Sequence, residues 1–276
     1  MGWPGRLELN YRRDADRTLA HDRHSGPLRV LQSLYPEGPS ICHHVLVHPP
    51  GGIVGGDVLH VEANLQPGTR ALITTPGATR FYRSAGESAQ QSVTARVAEG
   101  ARLEWLPLET ICHSAALAEN SMRFELAPGG EMLGWDIVAL GLPASGESFD
   151  SGHYMQRIEL PGVWLERGTI RGDDKRLLDS PLGFAGHRVL ATLWFAAGSP
   201  MHSDRRNALL DAAREHASSH ALARTAGCTS PHAEIVVLRA LAPQVEPAMQ
   251  LLRGVWACWR ELGWGLKACP PRVWRM

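Results

Sequence analysis

A turn built on Pro-Gly or Glu-Gly, set between two short runs of alternating apolar residues, recurs along the chain. Val61 to Leu65 runs through Gln66-Pro67-Gly68 into Thr69 to Thr75, and Val93 to Val97 runs through Ala98-Glu99-Gly100 into Ala101 to Leu106. Met122 to Leu126 leads into Ala127-Pro128-Gly129, and a looser copy turns at Pro161-Gly162 between Ile158 to Leu160 and Val163 to Arg167. The turn glycines 68, 100, 129 and 162 are separated by 32, 29 and 33 residues. Alternation puts Val61, Ala63 and Leu65 on one face and Glu62 and Asn64 on the other, the pattern of a half-buried strand. One hairpin with a single apolar face is only marginally stable in water, so units of this period are expected to stack and share a core. The expected fold is mainly β: a stack of two-layered, β-helix-like strands built from repeated hairpins over about residues 1–200. An ordinary β-sandwich with evenly spaced turns is the alternative, and both readings imply mostly antiparallel pairing.

Helical signals come late. Ser203 can cap a helix over about residues 204–218, with Asp204 in its first turn and Leu209, Ala213 and Ala217 at spacing four. A second helix is expected over about 247–262, with Pro247 at the first position and Gly263 just past the end. Its stripe of Ala248, Leu252, Val255, Trp259 and Leu262 suits either a core face or a docking face. No linker interrupts the chain, so residues 1–276 read as one domain.

The charges balance, with 28 Lys and Arg against 28 Asp and Glu and a net charge of +0, which argues against a nucleic-acid partner. Residues 1–18 are too charged for a secretory signal, and no apolar run approaches the roughly 20 residues needed to cross a bilayer, so a soluble cytoplasmic protein without a membrane role is expected. The 5 cysteines have no Cys-x-x-Cys spacing, which speaks against a disulfide framework or a structural zinc module.

Three stretches carry potential chemistry. His48-Pro49-Pro50-Gly51-Gly52-Ile53-Val54-Gly55-Gly56-Asp57 lacks the Gly-Lys-Ser/Thr of a phosphate loop and reads as a tight bend that fixes Asp57. Thr74 to Ser84 reads equally as a turn with locally satisfied hydroxyls or as a polar surface or channel wall. Cys42 and His44 share one face of a strand, near His48, and could offer a thiolate and an imidazole to a soft divalent ion, or the elements of a small metal- or thiol-dependent hydrolase. The acids Asp57, Glu104, Glu109, Asp136, Glu147 and Glu166 sit near apolar or glycine-rich turns; lining an interior passage, they would suit handing on a divalent cation without holding it tightly.

Taken in order, Gly26-Pro27-Leu28-Arg29-Val30, Tyr35-Pro36-Glu37-Gly38, the His48 to Asp57 and Thr74 to Ser84 segments, Leu103 to Ile111, Leu140 to Glu147 and Pro271-Arg272-Val273-Trp274 resemble the UreD (UreH) family of urease accessory proteins across nearly the whole chain. The resemblance implies a non-enzymatic, chaperone-like scaffold with a β-helix-like stack and two helices. Such proteins bind urease apoprotein and UreF, and through UreF the GTPase UreG, so that Ni²⁺ reaches the urease active site; a dimer within that complex is also allowed. No tightly bound cofactor is implied, only transient Ni²⁺, handled weakly along an internal passage. Carried over motif by motif, the resemblance places weight on Asp57, Ser84 and Glu166, with Cys42, His44 and His48 as further candidates for nickel. The chain departs from the family pattern at Cys112-His113-Ser114-Ala115, where an acidic residue is usual, leaving Cys112 or His113 as softer substitutes.

Overall fold

In the computed structural model, which describes residues 2–275, two β-sheets face each other and two long helices cover the back of one of them. The chain opens with β1 (Pro4–Asp14) and β2 (Arg17–Ser25), passes through β3 (Arg29–Val30) and β4 (Ile41–Val47), and then winds through the coils of a solenoid. The first coil comprises β5 (Val58–Leu65), β6 (Arg70–Thr74) and β7 (Thr79–Phe81), and the second β8 (Ala89–Val97), β9 (Arg102–Trp105) and β10 (Thr110–Cys112). β11 (Leu117–Leu126) and β12 (Glu131–Leu140) follow, then β13 (His153–Leu160) and β14 (Trp164–Arg171). The remainder is a short helix α1 (Lys175–Asp179), β15 (Val189–Ala197), α2 (Ser203–Ser218), β16 (Ala226–His232), β17 (Ile235–Ala242) and α3 (Val245–Trp264).

The front sheet has 7 strands in the order β14-β13-β11-β8-β5-β1-β2, and the back sheet follows the order β16-β17-β15-β12-β9-β6-β4-β3. The mainly β, stacked two-layer architecture holds, but the expected antiparallel pairing does not. The turns at Gly68, Gly100 and Gly129 carry the chain from the front sheet into the back one, so each unit is an arch whose strands pair in parallel with the units before and after it. Alternation reports only that one face is buried, and a Gly with positive φ serves an arch as well as a hairpin. Only the Gly162 turn closes a true hairpin, β13 with β14. The turn glycines stack: Gly68 N–H donates to Glu99 O and Gly100 N–H to Gly129 O, each at 3.0 Å.

Parallel register lines up equivalent residues. Leu7, Val61, Val93, Met122 and Ile158 form one inward row across five strands and make the interlayer core with Trp105, Trp194 and Phe124. The outward face of the front sheet carries a zigzag of ion pairs, Arg6–Glu62–Arg96–Glu125–Arg123–Glu159–Arg157. The back sheet instead buries Leu133, Trp135, Leu193 and Val236 against α2 and α3.

α2 begins at Ser203 with His202 as its cap, and α3 runs from Val245 to Trp264, longer at both ends than the sequence suggested, with Gly265 (φ 66) as its C-cap. Gly263 lies within the helix, and the ring of Phe195, which would stand 2.5 Å from a Cβ there, admits only glycine at that position. The α3 stripe is core: Ala248, Leu252, Val255 and Trp259 are buried, whereas Leu262 is half exposed. Arg260, fully buried on α3, replaces it on the inner face. Its guanidinium donates to Glu104 on β9 (3.1 Å) and, through both terminal nitrogens, to Glu37 (2.7 Å), which also bonds His43 (2.7 Å). Trp256 Nε1 donates to Glu104 as well, at 2.7 Å. Burial works to raise the pKa of Glu37, but the hydrogen bonds from His43 and Arg260 outweigh it and lower the value; at Glu104 burial wins and the value is raised.

Truncating Arg260 to Ala strands the buried Glu104 carboxylate and takes one of two partners from the partly buried Glu37, so Arg260→Ala is expected to cost about 3–5 kcal/mol. Urea denaturation reads this directly, and a loss under about 1 kcal/mol would mean that the two acids are solvated or neutral.

Candidate functional site

The sequence stretches singled out for chemistry lie between and at the margins of the two sheets. A cavity of about 230 Å³ opens between the layers, with His48, Gly51, Gly52 and Thr75 to Arg80 among its lining and Trp105, Asn120 and Asp136 deeper in. The glycine segment crosses the Thr79–Ser88 segment at close range: Gly52 leaves no room for a side chain beneath Tyr82, and Gly56 N–H donates to Ser88 O at 2.9 Å. Thr75 to Arg80 thus lines this cavity.

Within the layers, one inward row differs from its neighbours. Leu59 is followed across the stack by Gln91, Asn120 and Gln156 and then by Gly168 on the edge strand. Gln91 Nε2 donates to Asn120 Oδ1 at 3.4 Å, and Asn120 Nδ2 donates to Tyr154 Oη at 2.9 Å. Facing this amide row from the back sheet is a second polar row, Asp136–Thr192–Arg239, in register on β12, β15 and β17. Gln156 Nε2 donates to Asp136 across the gap, and Glu166 accepts from Thr192 Oγ1 at 3.1 Å and from Arg239 Nε at 2.6 Å. A continuous polar seam thus leads from the cavity through Asp136 to the Glu166 edge. Trp105 Nε1, buried in the cavity wall, has no hydrogen-bond partner.

Asp136 is 4% exposed, and burial pushes its carboxyl up to about 7; the hydrogen bond from Gln156 opposes that rise and Glu166 adds to it. Near neutrality the seam therefore holds an acid divided between its neutral and charged forms.

The candidates from the sequence divide by place. Glu166 lies at the seam's far end, where it continues the row Leu7–Val61–Val93–Met122–Ile158. His48 lines the cavity, and burial lowers its pKa. Asp57 accepts Trp3 N–H (2.8 Å) and Val54 N–H (3.1 Å), tying the N-terminal segment to the glycine loop. Ser84 Oγ donates to Glu87 O and accepts Gly86 N–H (3.0 Å), forming the adjoining turn. Cys42 and His44 do share the inward side of β4, but the sulfur is 3.7 Å from Nε2 and both ring nitrogens are engaged, with Tyr11 and Ser33, each at 2.8 Å. Burial raises the Cys42 pKa and lowers that of His44 to about 4, so the pair is a neutral thiol beside a neutral imidazole. Cys112 is fully buried with its pKa pushed up to about 12, and His113 stacks on Tyr82 with ring centroids 5.0 Å apart. Of the remaining acids, Glu104 is committed to Arg260 and Glu147 is exposed. Among the described residues, no three His, Cys, Asp or Glu side chains converge to hold a metal ion. The sequence reading singled out neither Gln91, Asn120 nor Gln156. The signal was present, because each falls two residues before an inward apolar position, Val93, Met122 and Ile158.

Because the folded pKa of Asp136 lies above the unfolded value near 3.8, its contribution to stability is complete below about pH 4, declines as pH rises towards about 7, and then levels off. The decline should approach about 1.4 kcal/mol per pH unit at its steepest. Urea unfolding of Asp136→Asn alongside the parent chain at pH 5 and pH 8 should show a variant less sensitive to pH; equal sensitivity would mean that Asp136 is hydrated.

A model of the UreD urease accessory protein family matches residues 4–275. The urease accessory protein UreD of Leptothrix cholodnii is 63% identical over 277 residues, covering 100% of both chains. Its counterpart in Paracidovorax citrulli is 58% identical over 276 residues with 100% of both covered, and that of Variovorax paradoxus 59% over 274 residues with 99% of each covered. With a solenoid that accounts for the repeated turns and a family match along all but the ends of the chain, this protein belongs to the UreD family of urease accessory proteins.

Proposed function

We propose that the protein is a non-catalytic urease maturation factor that binds urease apoprotein and UreF, and through UreF the GTPase UreG, and lets Ni²⁺ pass between its two sheets towards the enzyme. The observation that carries the role is the family match over residues 4–275 to proteins named for urease accessory work. The interlayer seam supports the route. Amide and carboxylate oxygens suit a borderline divalent cation, and a line of sparse ligands attracts an ion without trapping it. His48 would receive the ion at the cavity, Asp136 would take it within, and Glu166 would exchange Arg239 for it at the far edge. Asp57 and Ser84 would contribute by holding the loops around the cavity in shape, and Cys42 and His44 by packing. A cytoplasmic site of action fits this role, and no helix among the described residues is long and apolar enough to cross a membrane. The hydrolase reading has no thiolate to start from, because burial holds the Cys42 proton on.

Co-expression with urease subunits and the other accessory proteins tests both parts. The chain should co-purify with them, and Asp136→Asn and Glu166→Gln should lower the nickel content of urease several-fold while the complex still forms. Failure of the parent chain to co-purify overturns the scaffold role; an intact complex with full nickel content in both variants overturns the route.

A further inference from the structure

The two sheets do not end together. β14, the last strand of the front sheet, lies over β15 and β17, whereas the back sheet continues by one more strand, β16. Beyond β14 this leaves a groove of about 530 Å³, floored by Gly227 and Thr229 of β16 and Leu241 of β17, walled by Leu177 and Phe184, and overhung by the wholly exposed Leu182. β14 pairs with β13 alone, so the main-chain groups along its outer edge have no strand partner. A Cβ added at Gly168 on that edge, or at Gly227 on the floor, would meet nothing within 4 Å.

The charge around it has a sign. Within the groove Glu166 and Arg239 neutralise each other. Nearby Asp150, Asp173 and Asp179 are engaged by Lys175, Arg171 and Arg188. Arg167, Arg176 and Arg224 adjoin the lining residues Glu166, Leu177 and Thr225 in the chain, are exposed and form no salt bridge among the described residues; against them stands one exposed acid without an ion pair, Asp174, which caps α1, so positive charge is in excess beside the groove.

We propose that this groove receives an acidic, extended segment of a partner protein, added to β14 as an eighth strand of the front sheet. Main-chain bonds to the free edge supply the pairing, alternate apolar side chains enter the groove beside Leu177, Phe184 and Leu241, and the intervening carboxylates meet Arg167, Arg176 and Arg224.

The test uses the purified full chain and a fluorescein-labelled twelve-residue peptide of alternating Glu and Val, with a Lys/Val peptide as control. Anisotropy should report binding of the acidic peptide only, weakened as salt rises from about 0.05 to about 0.5 M. Gly227→Trp, which fills open space, and the double variant Arg167→Glu/Arg224→Glu should each weaken binding at least about tenfold while the circular dichroism spectrum is unchanged. Amide exchange of residues 165–169 should slow when the peptide binds. The proposal is overturned by absence of binding, by equal binding of the Lys/Val peptide, or by a folded Gly227→Trp variant that binds like the parent. It is also overturned if the parent chain forms a dimer that Gly227→Trp dissolves, since a second copy then fills the groove.

Discussion

Parallel stacking in register makes every inward position of one strand the neighbour of the same position in the next, so the interior is organised in rows and not in individual contacts. An apolar row such as Leu7–Val61–Val93–Met122–Ile158 is stable because each member removes its neighbours from water. A polar residue in such a row is costly unless the next strand offers a partner at the same level. Gln91, Asn120 and Gln156 meet that condition by occupying one row together, with Asp136 opposite. The polar seam follows from the geometry that builds the core, one residue pair further along each strand.

The same constraint explains the different treatment of the two outer faces. On the front, outward side chains reach diagonally from Arg6 and Arg96 to Glu62, while Glu159 lies in register with Arg123 and two residues from Arg157 on its own strand, so the face is finished by solvated ion pairs that each contribute little. On the back, apolar outward rows demand a cover, which α2 and α3 provide. Arg260 fixes that cover to the stack at one buried point, where two carboxylates from distant parts of the chain converge on it. Such a pair adds less net stability than its hydrogen bonds suggest, but it penalises any other placement of α3.

Much of this was legible in the sequence. The spacing of Gly68, Gly100 and Gly129 revealed the coils, and Ala248, Leu252, Val255 and Trp259 revealed the buried side of α3. Strand direction was not legible, because alternation and turn glycines are indifferent to whether the chain returns to its own sheet or crosses to the other. The C-terminal end of α3 was not legible because Gly263, an acceptable stop by local chemistry, is a glycine for packing against the ring of Phe195, and the stop falls at Gly265. The sequence also drew attention to residues with distinctive chemistry, Cys42, His44, Asp57 and Ser84, whose polar atoms are taken up locally. The plain amides of the seam escaped notice because Gln and Asn carry no catalytic signature; only their inward phase marks them.

The hairpin at Gly162 has a further effect. By reversing direction at β14, the chain ends the sequence of parallel coils, so the length of the amide row changes only in whole strand steps. Strands in a sheet stand about 4.8 Å apart, so the row from Gln91 on β8 through Asn120 on β11 to Gln156 on β13 spans two such steps, about 10 Å. An insertion or loss of one repeat would alter that length by one strand spacing while leaving every other row in register. The distance between the two ends of the interior is therefore set in whole units by the number of repeats in the gene, much as the rungs of a ladder set its height.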